Sequence, residues 1–190
     1  MTAPAHRRSS TKSRSSSRSG GSGSPAGLDL RALDIRPGEV RRVELRVPQA
    51  PLDLGGQTYS VEPHAPVARL EIQGAQGGMY LKLRLRAEVH GPCFRCLEDA
   101  RVRAAIDVSE YHEPTGADEL QSDYVDAGRV DVERWARDAL VFALPAKILC
   151  RPDCAGLCPR CGVRLEPGMD HECGEDEADP RWEKLRDWGA

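Results

Sequence analysis

Aromatic side chains are scarce, at 5% of the 190 residues. That scarcity argues against an extended platform for stacking nucleic-acid bases. No apolar run approaches the roughly 18 residues that a membrane helix needs, so no span is expected. The first residues also lack the apolar core of a secretory leader, and a cytoplasmic protein is the expectation. The catalytic signatures are missing too. There is no G-x-x-x-x-G-K-[ST], no dinucleotide fingerprint and no G-x-S-x-G elbow. Neither H-E-x-x-H nor the H-x-E with P-C-x-x-C of zinc deaminases occurs. Lysine is rare beside arginine, 4 against 23, which reads as coding bias.

Charge is unevenly spread. The formal net charge is −3. Residues 1–24 carry Arg7, Arg8, Lys12, Arg14 and Arg18, nine serines and no acid, leaving −8 on the remainder. Such a segment has too little to bury to offset its ordering entropy, so residues 1–27 are expected to form a disordered tail. It reads as a solubilising tail or as an electrostatic arm for a polyanion.

The body, residues 28–149, shows strand periodicity. Val43, Leu45 and Val47 alternate with Arg42, Glu44 and Arg46. Leu70 and Ile72 alternate with Arg69 and Glu71. The clearest strand places Met79, Leu81, Leu83, Leu85, Ala87 and Val89 on one side. Val102, Ala104, Ile106 and Val108 make a fourth strand after a connection at 91–99. Residues 113–130 read as an acidic loop. Asp131 then looks like an N-cap for a helix carrying Val132, Trp135, Ala136, Ala139, Leu140 and Ala143, stopped by Pro145. Trp135 is expected to anchor the core. The fold class is therefore α+β, a small antiparallel sheet covered by one main helix. Residues 150–174 form a cysteine-rich ribbon. The last stretch, 175–190, is acidic, with Trp182, Leu185 and Trp188 at amphipathic spacing.

Seven cysteines in a chain without a leader point to metal or redox chemistry before disulfides. Cys93 and Cys96 form one C-x-x-C pair, Cys158 and Cys161 another, and Cys150, Cys154 and Cys173 lie close by in sequence. With His171 they make eight ligands, enough for two tetrahedral zinc sites. The proposed division is Cys93, Cys96, Cys150 and Cys154 for one site, and Cys158, Cys161, His171 and Cys173 for the other. Cys150 or Cys154 serving the ribbon is the alternative. Structural zinc fits better than a thioredoxin-like dithiol, because neither pair opens a helix beside a parallel sheet. His6, His64 and His112 stand alone and read as ordinary surface or core side chains. On the polar face of the proposed hairpin, Arg84, Arg86, Arg101 and Arg103 are candidates for gripping nucleic-acid phosphates. The competing reading is a solvated face partly paired with Glu88 and Asp107.

Several of these elements resemble the YceD family of bacteria and plastids. They are Cys93-Phe94-Arg95-Cys96-Leu97 after a long strand, Leu144-Pro145, Cys150, the run Cys154-Ala155-Gly156-Leu157-Cys158-Pro159-Arg160-Cys161-Gly162, and Cys173. Asp179-Pro180-Arg181-Trp182 adds to the likeness, which spans about residues 28–188. The resemblance implies a role in accumulation of large-subunit (23S) ribosomal RNA, with no catalytic residues to carry over. It implies as partner a maturing large ribosomal subunit, through rRNA or through a ribosomal or assembly protein, and neither a membrane nor a small-molecule substrate. Many members close the ribbon with C-x-C, whereas His171 stands at the first of those positions here. The rival expectations are a protein-interaction adaptor without RNA contact, and a metal-dependent or redox enzyme.

Overall fold

The computed structural model describes residues 27–173. The basic tail and the Trp182, Leu185 and Trp188 stripe lie outside those residues. The elements in chain order are β1 (Gly27–Asp29), β2 (Val40–Arg46), β3 (Leu52–Leu54), β4 (Gln57–Glu62) and β5 (Val67–Gly74). They continue with β6 (Met79–Pro92), β7 (Asp99–His112), β8 (Val125–Asp126), β9 (Arg129–Asp131) and α1 (Val132–Ala143).

Strand β6 is the spine of the main, antiparallel sheet. One edge pairs with β7 along its whole length, from Met79 opposite His112 to Pro92 opposite Asp99. The other edge takes two strands end to end. Residues 79–84 pair with β5, and 88–90 pair with β4. Outside these, β2 pairs with β5 and β3 with β4. Alternation explains the two faces, because successive side chains of a strand point opposite ways. Leu81, Leu83, Leu85, Ala87 and Val89 are all buried, while Arg84 and Arg86 are exposed.

The buried side carries Ala68, Leu70 and Ile72 from β5, Tyr59 and Val61 from β4, and Ala104 and Ile106 from β7. Helix α1 closes this layer, packing on β7 and β1. Its N-terminus is set by Asp131, whose carboxylate accepts the Arg134 N–H at 3.0 Å. Val132, Trp135, Ala136, Ala139 and Leu140 face inward, and the helix ends before an extended Leu144. The buried stripe stops at Leu140, since Val141, Phe142 and Ala143 are exposed. Arg137 ties the helix to the segment before β3, donating to the Ala50 and Pro51 carbonyls at 2.9 and 3.0 Å.

Four strands stand where alternation placed them. The expected loop at 113–130 is corrected in part. Residues 125–126 and 129–131 form β8 and β9, and β9 pairs with β1 in a separate three-stranded sheet. The β3–β4 hairpin was also not anticipated. Its strands are short, and only Tyr59 and Val61 of β4 turn fully inward.

Trp135 is 2% exposed and stacks on Tyr124 with ring centroids 5.7 Å apart. Trp135→Ala is expected to lower unfolding stability by about 3–5 kcal/mol through the cavity it leaves. A urea titration checks this as a lower midpoint at unchanged slope.

Candidate metal centres

Cys93 and Cys96 lie in the tight turn between β6 and β7. Cys150 and Cys154 follow the helix exit. The exit is drawn to the turn by the Phe94 N–H donating to the Ile148 carbonyl at 2.8 Å. Arg95 fastens the next stretch by donating from Nη1 to the Cys154 carbonyl at 2.6 Å. Cys93 and Cys154 sulfurs are then 3.8 Å apart, and those of Cys96 and Cys150 are 3.5 Å apart. Cys93, Cys96 and Cys154 are buried, and Cys150 is half-buried.

The second group forms in the ribbon. The Cys158 sulfur is 3.1 Å from that of Cys173, and the Cys161 and Cys173 sulfurs are 3.4 Å apart. His171 Nε2 lies 3.3 Å from the Cys161 sulfur and 3.0 Å from that of Cys173. In each group the four donor atoms lie within 4.8 Å of one another, in the division the spacing suggested.

These separations fit metal ligation. A disulfide needs about 2.05 Å between sulfurs, and all seven thiols are free. Sulfurs about 2.3 Å from a tetrahedral zinc would sit about 3.8 Å apart. The first group matches that edge, and the second is somewhat tighter. Both groups could hold a metal ion.

The two C-x-x-C turns are copies of one backbone device. Cys93 N–H donates to the Glu98 carbonyl and Leu97 N–H to the Cys93 carbonyl, at 2.6 and 3.0 Å. In the ribbon, Cys158 N–H donates to the Val163 carbonyl and Gly162 N–H to the Cys158 carbonyl, at 2.8 and 2.9 Å. The residue after the second cysteine is left-handed in both, Leu97 at φ 63° and Gly162 at φ 72°. This geometry aims the N–H groups of Arg95 and Cys96 at the Cys93 sulfur, and those of Arg160 and Cys161 at the Cys158 sulfur.

The electrostatics follow. Burial pushes the Cys93 thiol up, but the N–H groups of Cys96, Cys150 and Arg95 outweigh it and hold it near 6. The N–H of Cys161, with Cys173 and the N–H of Arg160, holds Cys158 down to about 6. Neighbouring thiols move the opposite way. Burial and its hydrogen bonds to other thiols push Cys150 to about 12. Cys158 and Cys161 push Cys173 to about 12. Each group thus holds one thiolate readily and resists a second, and a dication removes that repulsion.

Other side chains hold the two groups together. Gly156 crosses the first turn, and a Cβ there would sit 3.2 Å from the Arg95 carbonyl oxygen. Glu98 pairs with Arg164 at 3.7 Å, Arg164 with Glu166 at 3.3 Å, and Arg151 with Glu166. Tyr59 Oη donates to the Pro92 carbonyl at 2.9 Å, at the base of the first turn. No spacing rule pointed to Tyr59, Arg151 or Glu166, because their partners are remote in sequence or irregular in structure.

The four candidate arginines do not form one bare cationic cluster. Arg84 pairs with Asp107 at 3.2 Å, and Lys82 shares that carboxylate at 2.9 Å. Glu88 lies between Arg101 and Arg103, at 3.7 and 3.6 Å, and Asp99 also holds Arg101, at 3.2 Å. Arg86 is exposed opposite Ala105 and has no ion pair among the described residues. Arg84 and Arg86, with Arg69, line an open groove of about 530 Å³.

A sheet closed by one helix, with two thiol-rich groups that could take metal, defines the class. Within it, the family described as large ribosomal RNA subunit accumulation protein YceD matches residues 81–188. Uncharacterized proteins of Mycobacterium bovis and Mycobacterium tuberculosis are each 33% identical over 171 residues, covering 85% of this chain and 80% of the relative. An uncharacterized protein of Mycobacterium leprae is 29% identical over 173 residues, covering 86% of this chain and 77% of the relative. A search of solved structures found no significant match. The chain belongs to the YceD family.

The paired turns make a backbone prediction. Nothing lies within 4 Å of a Cβ built on Gly162, so Gly162→Ala is expected to destabilise by about 1 kcal/mol through backbone strain alone. Leu97→Gly should relieve strain of about the same size. Thermal unfolding at fixed metal content should show shifts of opposite sign.

Proposed function

We propose that this chain is a non-enzymatic factor for accumulation of 23S rRNA, its fold stapled by structural zinc. Membership in a family whose name links it to large-subunit RNA carries the first half of this reading. The donor sets support the second. Four protein ligands per group fill a tetrahedron and leave no position for a catalytic water. Thiolate and imidazole donors are the set that zinc favours. Zinc bound there would contribute folding free energy, joining the β6–β7 turn to the helix exit and closing the ribbon. The chain works in the cytoplasm, on a maturing large-subunit particle. Arg86, exposed and without an ion pair among the described residues, is the first candidate for phosphate contact, with Arg84, Arg101 and Arg103 around it.

A second reading is an adaptor that reaches the particle through protein. The ion pairs of Arg84, Arg101 and Arg103 favour it, since a paired guanidinium is a weaker phosphate ligand.

Two measurements test the reading. Protein purified without added zinc should contain two equivalents. Cys93→Ser or Cys96→Ser should lose one equivalent and destabilise the body. A soluble, cooperatively folded double variant with unchanged metal content would overturn structural zinc. Crosslinking in growing cells, with sequencing of copurified RNA, should enrich one 23S segment together with large-subunit assembly proteins. Recovery of a protein partner with RNA at background would favour the adaptor.

A further inference from the structure

The two groups differ in how far solvent reaches them. In the first, Cys93, Cys96 and Cys154 are 0%, 4% and 2% exposed, and all four cysteines pack in or against the hydrophobic core. In the ribbon, Cys161 is exposed, and His171 and Cys173 are half-buried. The ribbon group borders an open depression of about 350 Å³, lined also by Pro159, Arg160, Leu165 and Met169. Cys158, His171 and Cys173 line that depression, and Cys161 beside it is itself exposed, so a small oxidant reaches Cys161 directly from solvent. The Cys173 sulfur waits 3.4 Å away, near enough to close a disulfide by modest side-chain rotation.

We propose that the ribbon group is a site of reversible thiol oxidation, in which a hydroperoxide joins Cys161 to Cys173 and expels the metal while the first group stays reduced. The inference rests on the zinc reading above for its metal step. The Cys161 sulfur attacks the distal peroxide oxygen, forming an S–O bond and breaking O–O. Water, or an alcohol, leaves with a proton from solvent, and Cys161 becomes a sulfenic acid. The Cys173 sulfur then attacks the Cys161 sulfur, the S–S bond forms, and the hydroxyl leaves as water, taking up the proton that the Cys173 thiol gives to solvent. The two sulfurs supply the two electrons that reduce the peroxide. Only Cys158 and His171 remain as donors, too few to hold zinc against solvent. A dithiol reductant reverses the step by exchange. Loss of the metal loosens the ribbon, and the sealed first group keeps the sheet and helix joined.

The test uses the full chain, with metal counted before any oxidant is added. Hydrogen peroxide is then applied, zinc release is followed with a metallochromic dye, and disulfides are mapped by proteolysis and mass spectrometry. One of two equivalents should leave, at least about tenfold faster than the other, because access governs thiol reactivity. The disulfide should map to Cys161–Cys173, and dithiothreitol with zinc should restore the starting state. In Cys173→Ser the Cys161 sulfenic acid should persist and be captured by dimedone. Release of both equivalents together, retention of both, or a disulfide among Cys93, Cys96, Cys150 and Cys154 would overturn the proposal. A starting count below two counts against the zinc reading instead. The disulfide map decides the oxidation site whatever that count is.

Discussion

The pairing of β6 with β7 is the constraint on which the rest depends. Both strands are 14 residues long and paired along their full length. One row of β6 side chains supplies the buried Leu81, Leu83, Leu85, Ala87 and Val89, and the opposite row supplies the charged face. A slip of one residue would send the leucines to water and the arginines into the core, so the register is held by burial itself. The same register carries Cys93 and Cys96 to the end of the hairpin, where the helix exit meets them. Strands β5 and β4 share the other edge of β6, which places Tyr59 under the first turn.

At that end a second constraint takes over. Three or four thiols held this close cannot all ionise without a counter-charge: backbone N–H groups hold Cys93 and Cys158 low, while burial and neighbouring thiols drive Cys150 high and Cys158 and Cys161 drive Cys173 high. The repeated turn prepares one thiolate in each group with backbone N–H groups. A metal ion would then relieve the repulsion among the remaining donors. The repeat also explains an apparent oddity, the exposed Leu97 in left-handed backbone. The turn demands that conformation after the second cysteine, whichever residue stands there.

The sequence carried what local periodicity and spacing can encode. Alternation over 79–89 marked the central strand, Asp131 marked the helix start, and the ligand count offered two groups of four, with the place of Cys150 and Cys154 settled only by the fold. Pairing between distant segments was not readable. β9 forms because Gly27–Asp29 lies beside it, about a hundred positions earlier in the chain, and three residues carry no period of their own. The charge state of the sheet face was hidden for the same reason. Glu71 neutralises Arg42, and Glu44 neutralises Arg69, only because β2 pairs with β5 in one register. From the sequence those residues are merely charged positions on separate strands. The family match begins at residue 81, whereas the resemblance by motif ran from about residue 28, and the mycobacterial relatives cover 85% of the chain.

The paired face and the open ribbon bear on how the chain would meet a ribosomal particle. Counterion release on phosphate contact requires cations not already neutralised by the protein. On the polar sheet face, Arg46 and Arg86 are exposed without an ion pair among the described residues, while Arg42, Arg69, Arg84, Arg101 and Arg103 hold carboxylates. Bound zinc would not make the hairpin end basic. A dication among four thiolates leaves a net negative centre, and one among three thiolates and an imidazole does as well. Under the proposed function, this charge arrangement would suit a mixed protein-and-RNA target, with the sheet face exchanging ion pairs. Within such an interface, specificity comes from matching pairs of charges and from exclusion of wrong partners, more than from bulk attraction to RNA.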